Sequence, residues 1–107
     1  MVIRRFDVFR NPNPRSQRAV PYLVVLQSEL LDGLPTQTVA PLVKAAAIGG
    51  KAAARLNPTF TIDGEAVVML TQQVGSVAAT TLTHRVANLD ASRDVIVAAL
   101  DFLFSGV

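Results

Sequence analysis

The sequence predicts a mostly β domain of the α+β class, in which five or more short strands are followed by one C-terminal helix. β-Branched and aromatic runs alternate with turns rich in proline, glycine and asparagine through most of the chain. Apolar side chains recur clearly at helical spacing only near the C-terminus. A length of 107 residues suits one domain, and we therefore interpret residues 1–107 as a single domain.

The first part of the chain predicts a β-hairpin. Residues 3–9 alternate loosely between apolar and polar side chains, and residues 21–27 are mostly apolar, β-branched and aromatic. The segment Asn11–Pro14 predicts a loop between these strands, because proline fixes φ and has no N–H to donate. The hairpin would then carry several arginines at its tip.

The middle of the chain predicts one strand and an irregular helical segment. Residues 36–42 follow a turn, and Pro41 indicates that this strand ends there or lies at a sheet edge. Residues 44–56 are rich in alanine, but Gly49 and Gly50 each cost a helix about 1 kcal/mol relative to alanine. We therefore predict a short or broken helix.

Three further strands are predicted before the terminal helix. Residues 59–62 and 66–72 flank Asp63-Gly64, a dipeptide typical of a tight hairpin turn. Residues 77–83 contain threonines and no helix-capping pattern, which favours a strand. This region therefore predicts a hairpin and then one more strand.

The terminal helix is predicted over residues 92–104. Asp90 or Ser92 is a suitable N-cap, and Asp94 in the first turn complements the helix dipole. Ser105-Gly106 is expected to end the helix. The apolar positions at helical spacing are Ile96, Leu100, Leu103 and Phe104.

Composition excludes several classes of protein. Half of the residues are hydrophobic and 17% are charged, which argues against disorder. There is no cysteine, so disulfides and thiolate metal sites are excluded. The sequence shows no secretory signal and no apolar run of membrane length, so we expect a cytoplasmic protein with no membrane partner. Small domains without cross-links commonly gain stability by oligomerising, and we predict a homodimer.

Charge is distributed unevenly along the chain. Residues 1–18 hold five arginines against Asp7 alone, a net charge of +4, whereas the whole chain carries +2. Such a basic end could steer the protein toward an acidic partner or a nucleic acid. It could equally be the solvated face of an arginine-rich hairpin.

Motifs for catalysis or metal binding are missing from the sequence. His84 is the lone histidine, and a metal site needs three or four ligands. Ser28, His84 and Asp32 are the residue types of a catalytic triad, but no G-x-S-x-G motif surrounds the serine. Residues 49–51 lack the remaining glycine and hydroxyl residue of a phosphate-binding loop. We predict no catalytic residue, no metal site and no cofactor, and we favour a binding module over an enzyme.

Several segments, in order, resemble the CcdB toxin family. Residues 26–32 (LQSELLD) resemble the family's VQSDIID segment, and residues 39–42 (VAPL) resemble its VIPL element. Residues 58–62 and 69–73 resemble its central strands, and residues 98–107 resemble its terminal helix and closing FWGI tail. The resemblance covers nearly the whole chain. Only the first hairpin loop is longer here.

The resemblance implies a fold and a function. The fold would be an SH3-like β-barrel with a small accessory sheet and the C-terminal helix. Family members are non-enzymatic homodimers that bind the A subunit of DNA gyrase, trap the gyrase–DNA cleavage complex and kill the cell. The antitoxin CcdA wraps the toxin and releases it from gyrase. Toxin and antitoxin together repress their operon, so operator DNA would be a partner only through the antitoxin complex.

The resemblance also implies two sets of partner-binding residues by position. One departure from the best-known family pattern is Ser105, which stands where that pattern has tryptophan. The residues expected to bind gyrase are Leu30, Leu31, Asp101, Phe104, Ser105, Gly106 and Val107. The residues expected to bind the antitoxin are Arg10, Leu30, Leu31, Asp101 and Phe104.

Two alternatives remain open from the sequence. Endoribonuclease toxins of the MazF/Kid type share the barrel, and a fold does not dictate a function. Their chemistry would need an arginine and a carboxylate, here Arg10, Arg15 or Arg18 with Asp7 or Glu29. The second alternative is a non-toxic homologue that keeps only dimerisation and antitoxin binding.

Overall fold

A computed structural model describes residues 2–107, in which we find seven β-strands, two α-helices and four short 3-10 turns. The strands are β1 (Asp7–Arg10), β2 (Tyr22–Val25), β3 (Thr36–Lys44), β4 (Thr59–Ile62), β5 (Glu65–Met69), β6 (Gly75–Ala78) and β7 (Arg85–Asn88). The α-helices are α1 (Ala45–Ile48) and α2 (Arg93–Ser105), and the 3-10 turns are Glu29–Leu31, Thr71–Gln73, Ala79–Thr81 and Asp90–Ser92.

The strands form one curled antiparallel sheet around the long strand β3. The order is β4-β5-β3-β2-β1-β7, and β6 pairs with the first half of β3 on the same side as β5. This half-barrel confirms the predicted mostly β fold with one C-terminal helix. The expected accessory sheet corresponds to β4 and β5, which join the main sheet through the last residues of β3.

The central strands are buried on both faces. Val8, Val24 and Ala40 are paired neighbours in β1, β2 and β3, and they face α2. Ile96 and Ala99 of α2 close this main core. Because both faces are covered, the sequence of β2 is continuously apolar and does not alternate between apolar and polar residues. The opposite face holds a smaller cluster of Phe9, Leu23, Val25, Val39 and Leu82.

The first strand begins at Asp7, so the prediction of a strand over residues 3–9 is wrong at its start. Phe6 has a φ of 71°, which places a turn directly before the strand. The Asp7 carboxylate accepts a hydrogen bond from the Arg4 N–H (2.8 Å) and stabilises that turn. Asp7 is only 2% exposed and pairs with Arg85 at 2.9 Å, which ties β1 to β7.

The third strand continues two residues past its predicted end at Leu42, to Lys44, so Pro41 does not mark a strand terminus. Pro41 is opposite Leu23 of β2, and its carbonyl accepts a hydrogen bond from the Leu70 N–H (3.0 Å). Leu70 lies between β5 and β6, where the ladder along this side of β3 is interrupted. The missing N–H of the proline therefore costs the sheet no ladder hydrogen bond.

The predicted broken helix over residues 44–56 is confirmed as the four-residue helix α1. Gly49 ends it with a φ of 61°, a left-handed conformation that favours glycine. The irregular segment that follows is held by the buried side chain of Asn57. Its amide nitrogen donates to the Met69 carbonyl (3.1 Å) and to the Gln72 side chain (2.8 Å).

The predicted strands over residues 66–72 and 77–83 are wrong at their C-terminal ends. β5 stops at Met69 and β6 stops at Ala78, and each is followed by a 3-10 turn. Strand β7 was not predicted, because its sequence (RVAN) is short and mixed. β7 pairs with β1, with Asp7 opposite Asn88.

Helix α2 spans Arg93–Ser105, one residue away from the prediction at each end. The predicted side-chain N-cap is wrong. Asp90 begins a 3-10 turn and pairs with Arg93 at 2.7 Å, and the Ser92 side chain makes no capping hydrogen bond. Within residues 2–107, no helix is long and apolar enough to cross a bilayer.

Candidate partner-binding site

An apolar groove of about 400 Å³ lies where four parts of the fold meet. They are the segment after β2, the start of β3, the start of β6 and the last turns of α2. Leu26, Leu31, Val74, Leu100 and Phe104 supply its apolar walls. Open apolar surfaces of this kind mark partner-binding sites in small proteins.

Gln27 ties the segment after β2 to the start of β3 at the groove. Its side-chain oxygen accepts hydrogen bonds from the Thr38 N–H (3.0 Å) and hydroxyl (3.2 Å). Its side-chain nitrogen donates to the Thr36 carbonyl (3.1 Å). Gln27 was not predicted as a site residue, because its role depends on a pairing between segments distant in sequence.

The Leu30-Leu31 segment is held in a capped turn that exposes both leucines. The Ser28 hydroxyl accepts from the Leu30 N–H (3.1 Å), and the Ser28 carbonyl accepts from the Leu31 N–H (3.0 Å). Leu30 is 94% exposed and Leu31 is 48% exposed. The turn therefore presents two aliphatic side chains to solvent without burying them in the core.

The end of α2 presents a third large apolar side chain. Leu100 is partly buried in the groove, whereas Phe104, one turn later, is 74% exposed. Gly106 ends the helix with a φ of 75°, and its N–H donates to the Phe102 carbonyl at 3.0 Å. This closure projects Val107 into solvent, where it is 76% exposed.

Asp101 lies on the solvent side of the same helix end. It is exposed, and it lies three residues before Phe104 and four before Ser105, so the three side chains are neighbours on the helix surface. The ion pairs of residues 2–107 are Lys44–Glu65, Arg85–Asp7 and Arg93–Asp90. The Asp101 carboxylate is therefore unpaired within the described chain.

The structure brings most of the sequence-predicted site residues together at one end of the molecule. Leu31 and Phe104 line the same groove. Leu30 lies beside Leu31, and Asp101 and residues 105–107 lie beside Phe104. We call the three exposed apolar side chains Leu30, Leu31 and Phe104 the apolar patch.

Arg10 is not part of this end. It pairs with Tyr22 at the far end of β2, about 13 Å from Leu26 at about 3.3 Å per strand residue. It lines a separate pocket of about 400 Å³ with Pro14, Gln17 and Arg18. An antitoxin contact at Arg10 would therefore be a second contact region, distant from the groove.

The residues suggested for an endoribonuclease are not assembled into a site. Asp7 is buried and paired with Arg85, so it is not available to a substrate. Glu29 is in the turn after β2, at the end opposite to Arg10 and Arg18. His84 is exposed, and residues 2–107 contain no cluster of three potential metal ligands.

Comparison with known proteins identifies the family. The family model described as CcdB protein matches residues 5–106 of the 107-residue chain. A search of the curated proteins gives no significant match. The match includes all strands, the groove, the apolar patch and helix α2. The chain therefore belongs to the CcdB family, and this membership supports a toxin of a ccd toxin–antitoxin system.

Proposed function

We propose that the protein is a homodimeric toxin that binds the A subunit of DNA gyrase and traps the gyrase–DNA cleavage complex. A CcdA-like antitoxin would neutralise it, and the two proteins together would repress their operon. The observation that carries the proposal is the apolar patch, in which Phe104 and Leu30 are mostly exposed at one end of the fold. Family membership supplies the class of target.

The apolar patch has the energetics of a partner-binding site. Burying one exposed leucine or phenylalanine side chain contributes about 2 kcal/mol. Aromatic anchors close to the centre of an interface commonly contribute most of its affinity. Since Ser105 stands at the position of the family tryptophan, Phe104 is the mostly exposed aromatic side chain at this helix end, whereas Phe102 is partly buried beside Arg55. The tail of residues 105–107 is small and exposed, so it can enter a narrow site on the target.

The same patch supports antitoxin control by competition. Leu30, Leu31, Asp101 and Phe104 are expected in both the gyrase and the antitoxin interface, so occupation by one partner excludes the other. Arg10 would bind a distal part of the antitoxin segment. About four residues of extended peptide cover the 13 Å along β2, about 3.3 Å each.

The first test compares two exposed apolar residues on one helix. Phe104→Ala should weaken inhibition of gyrase supercoiling about 30-fold, equivalent to about 2 kcal/mol of binding free energy. Val95 is 50% exposed on α2 and lies outside the groove, in a separate pocket with Arg55 and Pro58. Val95→Ala is therefore the matched control and should leave inhibition unchanged.

Deletion of residues 105–107 extends this test to the tail. The truncated protein should keep its fold, judged by cooperative thermal unfolding, with fraying limited to the last turn of α2, and it should lose gyrase inhibition. Equal inhibition by wild type, Phe104→Ala and the truncated chain would contradict the proposed gyrase site. A wild-type protein that leaves supercoiling unchanged at large molar excess would contradict the target itself.

A further inference from the structure

The loop between β1 and β2 is an ordered, capped turn and not a flexible hairpin tip. The Asn13 side-chain oxygen accepts from the Arg15 N–H (3.0 Å), as an N-cap does. The Gln17 N–H donates to the Asn13 carbonyl (3.1 Å), and the Val20 N–H donates to the Ser16 carbonyl (2.8 Å). Both of these hydrogen bonds span four residues, as in a helix. We call residues 10–21 the arginine loop.

A buried asparagine at the start of the arginine loop holds the loop closed on itself. The Asn11 side-chain nitrogen donates to the Val20 carbonyl (2.8 Å) and to the Ser16 hydroxyl (2.9 Å). Its side-chain oxygen accepts from the Asn13 N–H (3.0 Å). The loop backbone is therefore fixed before any partner binds, which lowers the entropic cost of binding.

The arginine loop carries an uncompensated positive charge. Arg10 and Arg18 line one pocket of about 400 Å³, and Arg15 is exposed three residues before Arg18 in the same loop. The sequence contains no acidic residue between Val8 and Ser28. None of these three arginines belongs to an ion pair within residues 2–107.

Apart from the single antitoxin contact proposed at Arg10, the surface of the arginine loop lacks the apolar anchors of a protein interface. All large exposed apolar side chains of residues 2–107 lie outside residues 10–21. Protein interfaces depend on such anchors, whereas contacts to nucleic-acid phosphates use arginine with asparagine, glutamine and serine side chains. The loop has no exposed aromatic ring on which an unpaired base could stack, which favours a duplex over a single strand.

We propose that the arginine loop binds the phosphate backbone of duplex DNA, with Arg10, Arg15 and Arg18 as the phosphate contacts. The choice of DNA over duplex RNA rests on the proposed function, in which the target holds DNA. The contacts read no base, so binding is independent of sequence. The loop would give the protein a second, electrostatic attachment at the end of β2 opposite to the apolar patch.

The test measures binding of the purified protein to a short fluorescein-labelled DNA duplex by anisotropy, over a range of salt concentrations. Three phosphate contacts predict a slope of about −2.7 when the logarithm of affinity is plotted against the logarithm of salt concentration. This slope corresponds to about a 40-fold loss of affinity between 50 and 200 mM salt. Each of Arg10→Gln, Arg15→Gln and Arg18→Gln should reduce the slope by about one. The triple variant should show almost no salt-dependent binding.

A matched control distinguishes DNA binding by the arginine loop from attraction by the overall positive charge of the protein. Lys51→Gln removes one exposed positive charge in the segment after α1 and should leave the slope unchanged. A slope near zero, an equal loss with Lys51→Gln, tighter binding of duplex RNA, or binding of a glutamate-rich peptide in place of DNA would each overturn the proposal. The assay contains no gyrase, so failure of the proposed gyrase site leaves its result unaffected, and the reverse also holds.

Discussion

The two ends of strand β2 carry opposite kinds of surface. At the C-terminal end, Leu30, Leu31 and Phe104 are exposed around an apolar groove. At the N-terminal end, the arginine loop exposes three guanidinium groups and no large apolar side chain. The strand between them is buried on both faces, so the distance between the two surfaces is fixed by the core.

This contrast teaches how one small sheet can serve two partners by different physics. Apolar burial acts only on contact and is insensitive to moderate salt, whereas guanidinium–phosphate attraction acts at a distance and is screened within about 10 Å at 0.1 M salt. Both surfaces depend on an ordered backbone. Ser28 orders the turn at one end, and Asn11 orders the loop at the other.

The largest expected effect comes from the scaffold that both ends share. Asp7→Asn removes the charge that pairs with Arg85 and weakens the hydrogen bond from the Arg4 N–H. Because the buried Asp7 carboxylate accepts charge-assisted hydrogen bonds from Arg85 and from the Arg4 N–H, their weakening should lower the free energy of unfolding by about 3 kcal/mol in urea denaturation, although Arg85 itself reaches solvent. Both surfaces should then lose function together at temperatures near the lowered midpoint.

The control for this prediction is an aspartate–arginine ion pair in which both side chains are exposed. Asp90 and Arg93 are both well exposed, so Asp90→Asn should change the free energy of unfolding by less than about 1 kcal/mol. Equal destabilisation by Asp7→Asn and Asp90→Asn would show that burial of Asp7 does not decide the effect.

The next effect is confined to the cationic end. Asn11→Ala leaves the Val20 carbonyl and the loop backbone without their partners, which should cost about 2 kcal/mol of unfolding free energy. DNA binding should weaken while gyrase inhibition is retained. Asn13→Ala, which removes an exposed cap, should cost about 1 kcal/mol. An Asn11→Ala protein of wild-type stability would contradict the anchoring role.

Sequence reasoning predicted the elements whose determinants are local. The Asp63-Gly64 turn, the broken helix at Gly49 and the end of α2 at Gly106 each depend on a few adjacent residues. The short strand β7 and the continuation of β3 beyond Leu42 depend on partners distant in sequence, and no local pattern indicates them.

The sequence indicated where the candidate site residues lie along the chain, but not which of their side chains are exposed. Helical spacing places Leu100 and Phe104 on one side of α2, but it does not show where the sheet ends beneath them. Only the fold shows that Leu100 lies in the groove and that Phe104 projects beyond it. The same limit applies to the arginine loop, where two Asn-Pro dipeptides indicated a loop but not its helical turn.

The smallest expected effect is confined to the apolar end. Gly106 has a φ of 75°, and alanine there meets no neighbouring atom within 4 Å, so only backbone strain opposes the substitution. Gly106→Ala should therefore cost about 1 kcal/mol in the free energy of unfolding and fray the last turn of α2. Because the turn carries Phe104, gyrase inhibition should weaken several-fold while the salt slope of DNA binding stays the same. Gly75→Ala is the control for stability, since Gly75 has an ordinary φ and its nearest neighbour is 4.0 Å away. If Gly106→Ala inhibits gyrase as well as wild type does, the ordered helix end is not needed to present the aromatic anchor, and the apolar end works without the preorganisation that the arginine loop requires.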